Sequence, residues 1–191
     1  SLVSSNVAGS GGGILNNGTT ANVIDSTIAL NTATQSSGGG GILNSSAGFV
    51  VINNSTIGDN TAPVGAGVNN PLASGGTLIL KNSILAWNTT QDTGGNVTSQ
   101  GNNIIQNVGG GIVGGVNDQV GVDPRLEMTP GFPTHPLLKN NGGATQTYAL
   151  LRGSPALDAG NNSLPTNDFD LDSDGNTAEP LPVDQRGPGF L

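Results

Sequence analysis

The chain has 191 residues, a formal net charge of −8, 32 glycines and no cysteine. Its five Lys and Arg residues are too few for a basic surface that would neutralise phosphates, so neither nucleic acid nor an anionic membrane is an expected partner. The absence of cysteine excludes disulfides and thiolate chemistry. No apolar run reaches the roughly 18 residues of a membrane-spanning helix.

The composition favours strands and turns. Charged residues make up only 9% of the chain and aromatic residues 3%, whereas a disordered chain of this polarity usually carries more charge. Valine, isoleucine and threonine occur in short runs bounded by glycine and asparagine, which is typical of short strands separated by tight turns.

The first feature along the chain is a repeated phrase. "DSTIALNTA" (residues 25–33), "NSTIGDNTA" (54–62) and "NSILAWNTT" (82–90) follow one another at intervals of 29 and 28 residues. A period of this length is the signature of a solenoid, in which successive coils stack on one another. An earlier, partial unit is expected at residues 2–10.

Each unit contains two apolar residues five positions apart. The pairs are Leu2/Val7, Val23/Ile28, Ile52/Ile57 and Leu80/Leu85. Side chains alternate along a strand, so both members of a pair can face inward only if the chain turns between them. Asn and Asp tolerate the left-handed conformation of a one-residue corner, and the predicted corner residues are Ser4, Asp25, Asn54 and Asn82.

Two further columns complete the repeat. Asn31, Asn60 and Asn88 form one, in which stacked amides are expected to make a hydrogen-bond ladder. The other begins with glycine in "GGGIL" (11–15 and 39–43) and "GAGVN" (65–69), with Ile14, Ile42 and Val68 facing inward. Residues 1–122 are therefore predicted to form an all-β, right-handed parallel β-helix with three sides and about four coils of 28–29 residues.

Residues 123–191 have a different character and no repeat. They are expected to belong to the same structural domain as an irregular C-terminal segment that caps the last coil, with Tyr148, Leu150 and Leu157 covering its apolar cross-section. His135, flanked by prolines, is expected to be a plain loop histidine rather than a catalytic residue.

"NGGATQTYALLRGSPALDAG" (141–160) and "DQRG" (184–187), together with "GGGILN" and "STIxxNTA", resemble the bacterial choice-of-anchor Q domain family. The resemblance covers essentially the whole chain. It implies a secreted or cell-surface protein with a right-handed parallel β-helix, and it implies no particular reaction.

An acidic stretch, "DFDLDSDGNTAE" (168–179), is the sharpest site signal. Alternating carboxylates around a glycine turn can bring several oxygens to one Ca²⁺ ion. The candidate ligands are Asp168, Asp170, Asp172, Asp174, Asn176 and Glu179. Leu181 stands where an EF-hand needs glutamate, so an EF-hand is excluded. The alternative is a solvated acidic turn that binds no ion.

The repeats are poor in catalytic groups. Residues 1–107 contain one basic residue, Lys81, and their acids Asp25, Asp59 and Asp92 stand in different columns, so no acid–base cluster can be assembled and no catalytic residue is predicted. The sequence favours a non-catalytic extracellular structural or surface protein. The alternative is a polysaccharide-binding or polysaccharide-degrading module of a larger secreted protein, with Trp87 as a stacking platform or a packing residue.

Two kinds of partner are expected. Ser1 lies inside a predicted coil, so the first coil has an open edge that can pair with another chain. A head-to-tail contact of this kind produces a filament or matrix subunit, whereas further coils of a longer β-helix would satisfy the same edge. Cell-surface glycans are the second expected partner.

Overall fold

The computed structural model describes residues 1–113 and 115–161. These residues form short β-strands and one turn of 3₁₀ helix (Leu72–Ser74), with no α-helix. In the same residues no helix has the length and apolar character needed to cross a membrane.

The strands are joined by short turns and by longer connectors such as residues 34–41 and 59–67. In chain order they are β1 (Leu2–Ser4), β2 (Val7–Ala8), β3 (Ile14–Asn17), β4 (Thr20–Ile24), β5 (Thr27–Ala29), β6 (Thr32–Ala33), β7 (Ile42–Ser45), β8 (Phe49–Asn53), β9 (Thr56–Gly58), β10 (Val68–Asn70), β11 (Thr77–Lys81), β12 (Ile84–Ala86), β13 (Thr93–Gly95), β14 (Val97–Gly101), β15 (Ile104–Ile105), β16 (Ile112–Val113), β17 (Gln119–Val120), β18 (Met128–Thr129), β19 (Phe132–Pro136), β20 (Leu138–Lys139) and β21 (Thr147–Tyr148).

Three parallel sheets enclose one core. The first face has the order β1-β5-β9-β12-β15-β17, the second β3-β7-β10-β13 and the third β4-β8-β11-β14-β16. Neighbouring strands in each sheet are parallel, as in the pairs β5–β9 and β8–β11. The predicted three-sided parallel β-helix is confirmed. We call these stacked coils the rod.

The repeat is regular over about three turns, fewer than the four expected. Stacked positions are separated by 25 residues at Asn6–Asn31, by 29 at Asn31–Asn60 and by 28 at Asn60–Asn88. The spacing then falls to 20 residues at Ser83–Asn103 and 15 at Asn103–Asp118. The later turns are smaller because their connecting segments are shorter.

Three left-handed corners turn the chain in each regular coil. The first corner is formed by Asp25, Asn54 and Asn82, with φ angles of 43°, 50° and 51°, as predicted. The second is formed by Leu30, Asp59 and Trp87 (59°, 55° and 61°), and the third by Gly11, Gly39 and Gly65 (59°, 71° and 50°). A left-handed leucine or tryptophan is unusual and persists here because the stacked neighbours impose the same turn.

The alignment predicted for the first unit is wrong. Val3, not Val7, lies opposite Ile28, and Val7 pairs with Thr32 and is 74% exposed. The corner residue is Ser5 rather than Ser4, with φ 58°. Spacing alone cannot choose between these registers, whereas the hydrogen bonds from Asn6 to Asn31 fix one.

The core is a column of aliphatic side chains from all three faces. Ile28, Ile57 and Leu85 from the first face, with Val68 from the second and Leu80 from the third, are completely buried. Burying each such side chain contributes about 1.5–3 kcal/mol. Ile42 is also buried as predicted, whereas Ile14 packs on the core from the first coil and is only partly buried.

Amide ladders run along two edges of this core. The predicted Asn31–Asn60–Asn88 ladder is confirmed, and Asn6 extends it by one rung. A second ladder, not predicted, joins Asn16, Asn44 and Asn70. The rod is therefore braced by side-chain hydrogen bonds in addition to its backbone pairing.

The segment expected to cap the last coil is described over residues 123–161. Residues 123–161, which we call the strap, lie along the outer side of the first face, with contacts from Ala29 in the second coil to Gln119 in the last. The strap contains the antiparallel pairs β18–β19 and β20–β21. Its apolar side chains cover the side of the rod because the outer side of that face carries small residues that leave room for them.

Candidate functional site

The strap is seated over a strip of small residues on the first face. Ala29, Gly58 and Ala86 occupy equivalent outward positions in β5, β9 and β12. Tyr148 lies on this strip, and a Cβ added to Gly58 would stand 3.3 Å from its ring. The strip therefore receives an aromatic ring that larger side chains would displace.

Tyr148 is the centre of a small second core. It packs with Ala29 and Leu126, and Trp87, Leu138 and Leu150 surround them. Its hydroxyl donates to the carbonyl oxygen of Gly58 at 3.4 Å. Burial, and to a lesser degree the negative charge of Asp59, raises the pKa of Tyr148, so the phenol keeps its proton at neutral pH.

His135 joins the strap to the second corner of the rod. It lies in β19, and its Nδ1 is 3.0 Å from Oδ1 and 3.2 Å from Oδ2 of Asp59. The expectation of a plain loop histidine is wrong, because His135 lies in a strand and contacts Asp59. Seventy-six residues separate the two partners, so no local pattern could indicate the contact.

The other end of the strap is held by amides of the later coils. Asn102 donates its Nδ2–H to the carbonyl oxygen of Ala159 at 3.0 Å, and the N–H of Asn161 donates to Oδ1 of Asn82 at 2.9 Å. Gln119 donates to the carbonyl oxygen of Pro155 at 3.1 Å. The strap is thus attached at both ends to side chains that stack along the rod.

Between these attachments a groove lies between the strap and the rod. It comprises two cavities of 530 and 190 Å³, which share Asn54, Thr56, Ile84 and Leu150. The rod contributes the floor through threonine and isoleucine side chains and one wall through the first-corner asparagines. The strap contributes the opposite wall, which includes Asn141, Thr147, Tyr148 and Leu157.

The groove is chemically neutral although the chain carries a net charge of −8. Among the described residues that line it, none is Asp, Glu, Lys, Arg or His. Amide, hydroxyl and aliphatic groups make up this lining, so the groove offers hydrogen bonds and apolar contact from side chains that carry no formal charge. Its titratable lining residue is Tyr148, which is protonated.

Trp87 is a packing residue of the strap junction. It is partly buried, and its backbone N–H donates to Oε1 of Gln106 at 2.8 Å. Its indole Nε1 is buried and makes no hydrogen bond to the described residues. Trp87 is not among the described residues that line the groove, so it offers no stacking platform there.

The candidate calcium ligands, Asp168, Asp170, Asp172, Asp174, Asn176 and Glu179, lie outside the described residues. Within residues 1–113 and 115–161 no group of three His, Asp or Glu side chains is placed to share a metal ion. Asp25 lies at the first corner, Asp59 at the second, and Asp92 is buried at the end of the asparagine ladder.

Sequence reasoning missed the groove because its two walls come from distant segments. One signal was present: the repeated phrase carries Ala29, Gly58 and Ala86 at the outward position, and a column of small residues indicates close approach of another element.

No protein-family model, no curated protein and no solved structure matches this chain.

Proposed function

We propose that the chain is a non-catalytic β-helical module of an extracellular or cell-surface protein, and that it binds a neutral polysaccharide in the groove between strap and rod. The observation that carries the proposal is the uncharged lining of this groove in an acidic protein. Neutral sugars present hydroxyls and apolar ring faces, and amide, hydroxyl and aliphatic groups complement both.

The same lining distinguishes neutral from acidic ligands. An acidic polysaccharide would approach a chain of net charge −8 without a cationic side chain in the described lining to compensate its carboxylates. Glycosidic bond cleavage needs an acid and a base flanking the bond, and a buried, protonated tyrosine supplies neither at neutral pH. We therefore propose binding without cleavage.

The surface location is proposed on the resemblance to the choice-of-anchor Q domain family. Residues 141–160, which carry most of that resemblance, form much of the wall of the groove that the strap contributes. In this proposal residues 141–160, which resemble the family most specifically, would contact the bound polysaccharide.

Isothermal titration with a neutral gluco-oligosaccharide and an acidic galacturonate of the same length tests the proposal. Leu157→Arg puts a charge into the groove at a side chain that is 49% exposed, and Leu72→Arg puts the same charge on the distant 3₁₀ turn, where leucine is 71% exposed. We expect neutral-sugar binding that is weakened about tenfold or more only by Leu157→Arg. Equal binding by both variants, or preference for the galacturonate, would refute the proposal that the groove binds a neutral polysaccharide.

Self-association through the coil ends is a second, separate proposal. The edge strands β1, β3 and β4 each pair on one side only within the described residues, and unpaired edges favour strand addition. A further coil of a longer polypeptide would satisfy the same groups. Sedimentation velocity over a wide concentration range tests the proposal: growth into rods supports it, and a constant monomer contradicts it.

A further inference from the structure

The asparagine ladder has a direction. At each rung the backbone N–H and the side-chain Nδ2–H donate to one Oδ1 of the next rung. Asn31 donates both to Asn60 at 3.0 Å, and Asn60 donates both to Asn88 at 3.0 Å. Each Nδ2 also donates to backbone carbonyl oxygens, as that of Asn88 does to Ile57 and Ala86, but every bond from one asparagine to the next runs toward the C-terminal coils. The position that follows the last asparagine is therefore expected to be an acceptor.

Asp92 is that acceptor. Nδ2 of Asn88 donates to its Oδ1 at 2.7 Å, and the N–H of Asn107 donates to its Oδ2 at 2.6 Å. The side chain is completely buried. Asp92 therefore receives the side-chain bond that a further asparagine would receive, and both of its oxygens face N–H donors.

A second column ends in the same way at a different corner. Backbone N–H groups donate to the side-chain oxygen of the next coil, from Ser26 to Ser55 at 3.2 Å and from Ser55 to Ser83 at 3.1 Å. Ser83 donates to Oδ1 of Asn103 at 2.9 Å. Asn103 then donates its backbone N–H and its Nδ2–H to Oδ1 of Asp118, at 2.9 and 3.0 Å.

The two columns have unrelated sequences at their ends, with an interval of 4 residues for Asn88–Asp92 and 15 for Asn103–Asp118. Both nevertheless finish on a carboxylate. An asparagine in that place would bring its own N–H groups, which would need yet another acceptor, whereas an ionised carboxylate only accepts. A buried donor without an acceptor is costly.

We propose that Asp92 and Asp118 are ladder-terminating residues, the acceptor-only groups that end two directional hydrogen-bond chains and set where the regular coils stop. The spacing of the coils agrees with this role for Asp92, because it falls from 28 residues at Asn60–Asn88 to 20 at Ser83–Asn103. The inference concerns the rod itself and does not depend on the groove.

Asp92→Asn tests the first terminator. In either orientation the new amide nitrogen faces a donor, Nδ2 of Asn88 or the N–H of Asn107. We expect the melting temperature to fall by roughly 5 °C or more. We also expect hydrogen exchange of the Asn88 side-chain amide to accelerate at least tenfold, with the separate Asn16–Asn44 ladder unaffected. An unchanged melting temperature with protected Asn88 would overturn the proposal.

Asp118 offers a matched comparison for the second terminator. Its Oδ2 is buried and accepts no hydrogen bond from the described residues. Asp118→Asn can therefore keep an acceptor oxygen toward Asn103, but its buried amide nitrogen brings N–H groups that need a further acceptor. We expect Asp118→Asn to lower the melting temperature while the Asn103 side-chain amide stays protected, and Asp118→Ala, which removes the acceptor, to accelerate exchange of that amide. An unchanged melting temperature of Asp118→Asn, or equal exchange in the two variants, would contradict termination.

Discussion

Nδ1 of His135 lies 3.0 Å from Oδ1 of Asp59 and connects the strap to a corner of the rod. The two side chains are in different environments, since His135 is 53% exposed and Asp59 only 6%. Burial raises the pKa of Asp59, and the hydrogen bond and charge of His135 oppose this effect. The pair therefore joins a buried carboxylate of the rod to a half-exposed imidazole of the strap.

This arrangement predicts a pH dependence of stability with a definite sign. The pKa of Asp59 in the folded state lies above its ordinary value near 3.9, so the folded state binds the proton more tightly than the unfolded state. The contribution of Asp59 to the free energy of unfolding therefore falls as pH rises from the unfolded value through the folded one. Melting curves of the wild type and Asp59→Asn between about pH 3 and pH 7 measure this change in the contribution of Asp59.

The wild type should lose stability relative to Asp59→Asn across this window and then reach a plateau. Glu127→Gln serves as a control, because Glu127 pairs with Lys139 at the surface of the strap, at 2.6 Å. A relative gain of the wild type with rising pH would contradict the assignment.

Tyr148→Ala should release the strap while leaving the rod folded. The substitution removes a buried ring from the small-residue strip and lowers the free energy of strap attachment by about 3 kcal/mol. Limited trypsin digestion should then cleave faster at Arg125, Lys139 and Arg152. Phe132→Ala is the matched control, since that aromatic ring of the strap is 61% exposed. Equal cleavage rates in the two variants would show that Tyr148 does not hold the strap.

Asn60→Ala should destabilise the rod more than the removal of a few side-chain atoms would suggest. The side chain is completely buried, donates to the carbonyl oxygens of Ile28 and Gly58, and links Asn31 to Asn88. Its loss leaves several buried groups unpaired, at a cost of about 3 kcal/mol in the free energy of unfolding. Urea denaturation measures it, with the exposed Asn22→Ala as control. A loss no larger than that of the control would mean that the ladder adds no stability.

Calcium is predicted to stabilise the chain through the acidic stretch of residues 168–179. A ligand that binds only the folded state raises the melting temperature, by roughly 5–10 °C at a hundredfold excess over Kd. Calorimetry with and without Ca²⁺ should show the shift in the wild type and not in Asp172→Ala, with Mg²⁺ as the ion control. The same shift in both proteins would place the ion elsewhere, and no shift would favour the solvated acidic turn.

The rod could be predicted because its determinants repeat. Asp25, Asn54 and Asn82 mark a corner in three successive units, and the apolar residues five positions apart require a turn between them. Each inference used a short stretch of sequence and was supported by the equivalent residues in the neighbouring repeats. The first unit was misaligned because Leu2 and Val7 satisfy the same spacing in the wrong register.

The position of the strap could not be predicted in this way. Tyr148 and Leu150 indicate that the segment must cover apolar surface, but the end and the side of a β-helix both provide such surface. Only the outward column of Ala29, Gly58 and Ala86 distinguishes them. The contact between Asp59 and His135 has no counterpart in another coil, so repetition gave no help.

The direction of the ladders also determines how a rod of this kind can be lengthened. A duplicated coil inserted between Asn31 and Asn60 would offer an acceptor to the coil before it and a donor to the coil after it, so every existing contact would be reproduced. The same insertion after Asp92 would meet a carboxylate that donates nothing. Growth by internal duplication is thus compatible with the early coils, whereas a copy placed after Asp92 or Asp118 would lack the ladder bond from the coil before it.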